Sequence, residues 1–464
     1  MTDAHDPRPA LAAATGHLHA LGLAPGEHVA TVVGQDLEGF ALGWACALAG
    51  VVQVPLPGDL PQDAVAAVLD DAAPRLLLAD DPHGPAARAA AARGLPVAPL
   101  RGGRPRDPDA GAPRTRAMAY TSGTTGRRKG VHVGLHDAAW GRAVLDDEHA
   151  AFGARHGRRH LVVSPLYHSG PFRHALVSAD LGGSVVVLPR FTVDVWLDAL
   201  RRSRPTSLFC VPTQLHRLLA HPGLRADDLA SLTLLVHAGA PCPAPLKQRL
   251  LELAPDGAVW EFYGSTEGQF SVCPPDVAVA APGSVGHARP GRSLQVRGDT
   301  GAPLPAGEVG TVWTSAPAHA RWSYWGAPER TAQAWDGDAF TVGDLGRLDA
   351  EGRLELVGRP GDLVITGGVN VYPAEVERAL LALPGAGEAV VFGVPDDDWG
   401  QRLLAAVTPA AGGQPDPQQL RAALRERVPA AQVPKQVLVV DELPRTPTGK
   451  VHRPRLPELA QEHT

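Results

Sequence analysis

The chain has 464 residues, a formal net charge of −6 at pH 7 and 44% hydrophobic side chains. That length exceeds what one hydrophobic core sustains, so at least two domains are expected. The acidic balance, with no long basic run, argues against nucleic acid as the main partner.

Arginine far outnumbers lysine; the only lysines are Lys129, Lys247, Lys435 and Lys450. Cys46, Cys210, Cys242 and Cys273 are scattered, with neither a CxxC pair nor a matched histidine spacing. They point to neither a zinc site nor a disulfide framework and fit a reducing, cytoplasmic setting. Met1–His19 lacks the apolar centre of a signal peptide. Phe40–Leu56 is long and apolar, but Gly43, Gly50, Gln53 and Pro55 interrupt it. It reads as a buried helix capped by Gly50 and then a buried strand, so no membrane span is expected.

In chain order, strands are expected at His28–Val33, Val51–Val54, Arg75–Ala79, His160–Ser164, Ser184–Leu188, Ser207–Val211, Leu232–Val236 and Val259–Phe262. Helices are expected at Gln62–Leu69, Val193–Ser203 and Pro245–Leu253. Continuous apolar strands alternating with helices predict an α/β fold of parallel sheets covered on both faces, with ligands at the carboxyl ends of the strands. After Gly283, short alternating strands (Leu294–Val296, Gly310–Thr314, Arg353–Val357) predict a small antiparallel, β-barrel-like subdomain. From Asp362 onward the pattern is mixed: helix Ala374–Ala382, strands Ala389–Phe392 and Leu403–Val407, helix Gln418–Arg427 and strand Val437–Val440. The expected division is a large N-terminal domain, 1–359, and a small, mobile α+β domain, 360–464.

Tyr120-Thr-Ser-Gly-Thr-Thr-Gly-Arg-Arg-Lys-Gly130 follows the short apolar run Ala117–Tyr120. Its glycines, Gly123 and Gly126, let successive backbone N–H groups wrap an anion. The hydroxyls of Thr121, Ser122, Thr124 and Thr125 add donors, and Arg127, Arg128 and Lys129 add positive charge. A flexible linker seldom has a strand directly before it and three cations directly after. The spacing is not that of a Walker A loop. A polyphosphate loop of another kind is the better reading.

Six further stretches complete a pattern: Pro165-Leu-Tyr-His-Ser-Gly170, His237-Ala-Gly-Ala-Pro241, Glu261-Phe-Tyr-Gly-Ser-Thr-Glu-Gly268, Thr341-Val-Gly-Asp-Leu-Gly346, Gly358-Arg-Pro-Gly-Asp-Leu-Val-Ile-Thr-Gly-Gly368 and Pro444-Arg-Thr-Pro-Thr-Gly-Lys450. Together with the phosphate loop, in this order, they resemble the adenylate-forming superfamily: acyl-CoA synthetases, adenylation domains of peptide synthetases and beetle luciferase. The resemblance implies a small carboxylic acid, ATP and Mg²⁺ as reactants, an acyl-AMP intermediate, and CoA or phosphopantetheine as acceptor. A monomer or homodimer is expected. The chain lacks the strand and turn that usually precede Leu11, so a trimmed N-terminal subdomain is expected.

Residue by residue, Glu267 sits just past a strand, where a carboxylate can hold Mg²⁺ and the Thr266 hydroxyl can reach the α-phosphate. Thr121 is the expected second metal-side group. Tyr263 would pack on adenine, with Gly239, Ala240, Pro241, Glu261, Phe262 and Gly264 around the nucleotide. Asp344, assisted by Arg359, would take the ribose hydroxyls. His168 would gate an acyl pocket also lined by Phe172, His237, Gly264 and Gln269; bulk at His237-Ala238, where many members have glycine, implies a tighter wall. Arg173 reads as solvated. Lys450 would bridge the acid carboxylate and the α-phosphate, two anions that repel. After adenylation the small domain would rotate about Gly361, usually Asp or Lys, and present Gly367 and Gly368 to the second nucleophile.

The readings in play are transfer to CoA, loading of a carrier protein, transfer to an amine or nitrite, and a non-catalytic nucleotide or acyl binder. Retention of Glu267, Asp344, Arg359 and Lys450 argues against the last.

Overall fold

The computed structural model describes residues 6–109, 111–121, 128–153, 156–410, 413–445 and 451–462. Statements of number or absence below refer to these described residues. The strands β1 (His28–Thr31), β2 (Val52–Pro55), β3 (Leu76–Leu78) and β4 (Val97–Ala98) form a parallel sheet in the order β2-β1-β3-β4. Helix α1 (Arg8–Ala20) precedes them in sequence, and α2 (Leu37–Ala49), α3 (Gln62–Ala72) and α4 (Pro85–Ala91) lie between them. The apolar run Phe40–Leu56 divides as its glycines predict. The Asp36 side chain accepts the Gly39 N–H to start α2, and Gly50, at φ 75°, ends it in the left-handed conformation.

A hairpin follows, β5 (Ala119–Thr121) with β6 (Lys129–His132), pairing Thr121 with Lys129. Next comes a seven-stranded sheet: β7 (Arg159–Val162), β8 (Ser184–Val187), β9 (Ser207–Cys210), β10 (Leu234–His237), β11 (Val259–Gly264), β12 (Gln269–Cys273) and β13 (His287–Ala288). Strands β7 to β11 are mutually parallel, and β12 and β13 add antiparallel. The sheet is buried on both sides, so its strands are mostly apolar, with His160, His237, Glu261 and Gln269 as buried polar exceptions. Its helices are α5 (Ala138–Ala151), α6 (Ser169–Asp180), α7 (Val193–Ser203), α8 (Pro212–Leu219), α9 (Ala226–Leu229), α10 (Ala244–Leu253) and α11 (Pro275–Ala280). Leu208, Cys210, Leu235 and Val259 face one core with Trp196 of α7, Leu215 of α8 and Leu250 of α10. Phe209, Val236 and Phe262 face the other core, with Phe152.

The antiparallel piece expected after Gly283 is a six-stranded sheet of β14 (Leu294–Arg297), β15 (Gly310–Ser315), β17 (Trp335–Asp336), β18 (Ala339–Phe340), β19 (Leu345–Leu348) and β20 (Leu354–Gly358). Between these, β16 (Ser323–Tyr324) leaves to pair with β6, and α12 (Pro328–Ala334) follows it.

The C-terminal portion has its own cores. It comprises the hairpin β21 (Val364–Thr366) and β22 (Val369–Val371), helix α13 (Pro373–Leu381), a sheet of β23 (Ala386–Asp396), β24 (Gly400–Pro409) and β25 (Gln436–Val439), and helices α14 (Pro417–Leu424) and α15 (Leu456–Glu462). Helix α13 docks on β20, where Arg378 pairs with Glu355, and Arg347 of β19 donates to Glu375 at 3.1 Å. Gly361 lies in the single 3₁₀ turn Pro360–Asp362 that joins β20 to β21. No helix is long and apolar enough to cross a membrane.

Candidate functional site: the carboxyl end of β11

The Tyr263–Glu267 motif closes a hairpin between β11 and β12; it does not open a helix. The Ser265 N–H donates to the Gly268 carbonyl at 2.9 Å. At Gly264 a Cβ would lie 2.7 Å from that carbonyl oxygen and 2.9 Å from Gln269 Cα, so the turn requires glycine. Tyr263, half-buried Thr266 and buried Glu267 are thereby gathered at one strand end. The Tyr263 hydroxyl donates to Asp344 Oδ2 at 2.6 Å, and Arg359 Nε donates to Asp344 Oδ1 at 2.6 Å. Asp344 is thus a buried carboxylate with both oxygens engaged, and the Tyr263 ring rests on Phe270, 4.8 Å between centroids.

A second chain of contacts reaches the same strand end from the β5–β6 hairpin. Lys129 Nζ lies 4.4 Å over the Tyr324 ring and donates to its hydroxyl at 3.3 Å. Tyr324 donates in turn to Glu267 Oε1 at 2.8 Å. Burial lowers the Lys129 ammonium below the usual lysine range, against the pull of Glu267. Burial and then the Glu267 charge push the Tyr324 phenol up. Tyr324 carries no sequence signal beyond an aromatic run, and was not foreseen. Thr121 and Lys129 frame the expected phosphate loop; Ser122, Gly123, Thr124, Thr125, Gly126 and Arg127 lie outside the described residues. Among the described residues no group of three or more His, Cys, Asp or Glu is placed to hold a metal ion by itself. One buried carboxylate near the described flanks of the expected phosphate loop fits Mg²⁺, which binds through one or two carboxylates plus substrate phosphates. Glu267, with Thr121, would hold the ion; when bound, it neutralises phosphate charge.

Several expected residues are placed otherwise. His237 and Glu261 are register partners on β10 and β11. They alternate with Val236 and Phe262, so they face the helical layer of α10 and not the Phe209 side. Glu261 pairs with Lys247 at 2.5 Å, both side chains buried, and His237 Nδ1 lies 3.9 Å from Glu261. Glu261 is therefore a structural carboxylate, not a nucleotide ligand, and His237 is not a wall on the Phe209 side. Phe172 turns toward α2: its ring meets Phe40 at 5.6 Å and would collide with a Cβ on Gly43. The face of α6 that looks at the central sheet carries Gly170, Arg173 and His174, one turn apart. Gly170 abuts Phe209, and His174 stacks on it at 5.1 Å. Arg173 pairs with Glu148 at 3.4 Å, its side chain 14% exposed, so it is largely withdrawn from solvent. Gln269 is 1% exposed and is gripped by Arg289. His168 stands at the N-cap of α6 with its ring against Tyr167. Gly239, at φ 89°, Ala240 and Pro241 form the loop leaving β10, and Phe262 lies in the core with Phe209.

Residues 10–325 match the AMP-binding enzyme family, and residues 375–450 match the AMP-binding enzyme C-terminal domain. The chain belongs to the AMP-binding enzyme family. It is 34% identical over 444 residues to a feruloyl-CoA synthase of Amycolatopsis sp, covering 94% of this chain and 89% of that one. It is 33% identical over 457 residues to the fatty acid–[acyl-carrier-protein] ligase ScoC of Streptomyces coeruleorubidus, covering 95% and 88%. The crystal structure of ATP-bound MatB from Rhodopseudomonas palustris superposes with a TM-score of 0.86 at 30% identity, covering 98% and 93%.

On the C-terminal side of this AMP-binding enzyme, Gly367 and Gly368 form the tip of the β21–β22 hairpin, at φ 56° and 80°. The Gly367 N–H donates to the Trp399 carbonyl at 2.9 Å. Ile365, Val369 and Trp399 stand exposed around this tip. Lys450 lies outside the described residues; of its flanks, Arg445 bridges Val451 and the His452 N–H donates to the Pro444 carbonyl at 2.7 Å.

Proposed function

We propose that this enzyme uses ATP and Mg²⁺ to convert a small carboxylic acid to an acyl-AMP and then transfers the acyl group to CoA. A carboxylate oxygen attacks the α-phosphorus, the bond to pyrophosphate breaks, and pyrophosphate leaves. A thiol sulfur then attacks the acyl carbon, AMP departs, and the thiol proton passes to solvent. The observation that carries this reading is the meeting, at the end of β11, of Asp344–Tyr263–Arg359 with Glu267–Tyr324–Lys129. The first set offers a buried carboxylate to a ribose. The second sets a carboxylate and a cation beside the phosphate loop. Domain boundaries at 359/360, rotation about Gly361 and presentation of Lys450 belong to the same proposal.

A carrier-protein thiol is the second acceptor to weigh, because the exposed Ile365, Val369 and Trp399 flank the Gly367–Gly368 tip. The test is a panel of carboxylic acids assayed for pyrophosphate release with hydroxylamine as trap, repeated on the hits with CoA and with a phosphopantetheine-loaded carrier. Hydroxamate without thioester from either thiol would overturn the transfer step; no hydroxamate from any acid would overturn adenylation.

A further inference from the structure

Four arginines converge beside Gln269, on the side of the central sheet that carries Phe209. Arg173 comes from the inward face of α6, Arg289 and Arg292 from the segment after β13, and Arg116 from the approach to β5. They face two carboxylates of α5. Glu148 lies 3.4 Å from Arg173 and 3.4 Å from Arg289, and Asp147 lies 2.9 Å from Arg292. Four guanidinium groups against two carboxylates leave two positive charges uncompensated. Among the described residues Arg116 has no hydrogen-bond or ion-pair partner for its guanidinium; it feels Arg173 and Glu148 only through the field.

Arg289 is buried and Arg116, Arg173 and Arg292 are only partly exposed, so like charges crowd where solvent screens them poorly, a state that an arriving anion relieves. The titration behaviour agrees. Burial and then Arg173 lower Arg116 to about 10, and Arg173 and Arg292 are lowered by burial as well. Burial opposes ionisation of Glu148, yet Arg173 and Arg289 outweigh it and hold its pKa at about 2. Both carboxylates are therefore already spent, and the cluster still lacks anions. Buried polar atoms are also left over: Gln269 Nε2 and the Nε atoms of Arg173, Arg289 and Arg292 have no partner.

The cluster touches the reaction site through one residue. Gln269 is the register partner of Gly264, two residues before Thr266, and Arg289 holds its side-chain oxygen. Beyond the arginines the depth of this side is filled by Phe152, His174, Phe209 and Phe262, in ring contact with one another. An acid lying from the end of β11 toward the cluster is thus short, and its far end meets guanidinium, not hydrocarbon.

We propose that this enzyme activates a short dicarboxylic acid, one carboxylate going to the α-phosphorus and the other held by Arg116 and Arg173. The inference rests on the adenylation reading above and adds the substrate class to it. Arg116→Met is the informative variant, because Arg116 has no ion-pair partner to orphan; Arg116→Lys restores the charge without the fork. Malonate, succinate and glutarate are assayed for pyrophosphate release against propanoate, butanoate and pentanoate. Binding of the same dicarboxylates without ATP is measured by calorimetry. The wild type is expected to favour a dicarboxylate over its equal-length monoacid. In Arg116→Met the ratio of the two kcat/KM values should fall about 10- to 100-fold, the range for a lost charged hydrogen bond, with partial rescue in Arg116→Lys. A wild type that prefers the monoacids, or a ratio unmoved by Arg116→Met, overturns the proposal. If no acid is turned over, adenylation fails as a reading, and calorimetry still decides the subsite: dicarboxylate binding lost in Arg116→Met upholds it, and no binding to the wild type sinks it.

Discussion

Tyr263 and Asp344 lie 81 residues apart in sequence, yet the tyrosine hydroxyl donates to the carboxylate at 2.6 Å inside the fold. Arg359 donates to the other oxygen at the same distance, so the carboxylate is fixed in position before any ribose approaches. Asp344→Asn keeps the shape and removes the charge. The KM for ATP should rise about 10- to 100-fold, the cost of losing a charge-assisted acceptor, while the KM for the acid changes little. Steady-state pyrophosphate assays at varied ATP, with the melting temperature as a check on folding, measure this. An unchanged KM for ATP would remove Asp344 from the nucleotide site.

Glu267 is buried at the β11–β12 turn with the Tyr324 hydroxyl on one oxygen. Glu267→Gln retains an acceptor for Tyr324 and loses the anion that faces the metal. Half-maximal adenylation should require about tenfold more Mg²⁺. If the Mg²⁺ titration of the variant overlays the wild type, the carboxylate serves only the hairpin.

Lys247 and Glu261 form a buried pair at 2.5 Å on the α10 side of the sheet. Lys247→Met strands the Glu261 charge and should cost about 3–5 kcal/mol of stability. Adding Glu261→Leu should return most of that loss. Chemical denaturation of the two variants gives the numbers. The KM for ATP should stay near wild type in the double variant, since neither group faces the nucleotide. A large rise there would reinstate Glu261 as a ligand.

Burial lowers His160 to about 3, helped by Arg158, and lowers His132 to about 4. His174, buried between His160 and Phe209, is lowered well below its ordinary value by burial and then His160. An unfolded histidine binds its proton near pH 6.5, whereas these folded ones resist it. The unfolded state therefore holds more protons below that pH, and stability falls as pH drops from about 6.5 toward the folded values. Each group contributes a slope of about 1.4 kcal/mol per pH unit in that window. His174→Phe keeps the ring stack and should remove one such slope. Urea midpoints at pH 7, 6 and 5 test it; an unaltered pH dependence would show that His174 protonates freely.

The layered α/β architecture was legible because its strands are continuous apolar runs and its helices carry their own punctuation. Val193–Ser203 has the expected bounds because Thr192 caps the first turn and accepts the Val195 N–H. Which side a β-residue faces was not legible in the same way. With both faces of β10 and β11 buried, His237 and Glu261 look the same in sequence as Val236 and Phe262. Helical spacing does separate Phe172 from the face shared by Gly170, Arg173 and His174, and its ring packs toward Phe40 instead. Helix α14 stops at Leu424, short of the expected Arg427, where the Arg425 and Glu426 N–H groups bond three residues back, to Ala422 and Ala423, and the chain tightens into a turn. Tyr324 and the arginine cluster are products of tertiary folding. Arg116, Arg173, Arg289 and Arg292 are scattered across the sequence, and nothing local marks them as neighbours.

Lys450 belongs to a five-residue stretch, 446–450, outside the described residues. Its flanks are fixed: the bridge between Arg445 and Val451 closes the base, Arg445 pairs with Glu388 of β23, and Leu443 is buried in the core with Val451 against it. Flanks fixed in this way tie Lys450 to the C-terminal unit wherever that unit is docked. Bringing a carboxylate against the α-phosphorus requires a cation between two anions, and that need ends once the acyl-AMP has formed. Lys450→Ala should therefore slow pyrophosphate release about 10²- to 10³-fold, the usual cost of removing one charge-stabilising donor. Thioester formation from chemically synthesised acyl-AMP and CoA should stay within about threefold of wild type, because the attack of sulfur on the acyl carbon does not draw on the lysine. Both half-reactions are measured on one purified preparation. Equal losses in the two would place Lys450 in the fold of the C-terminal unit and take it out of the adenylation step.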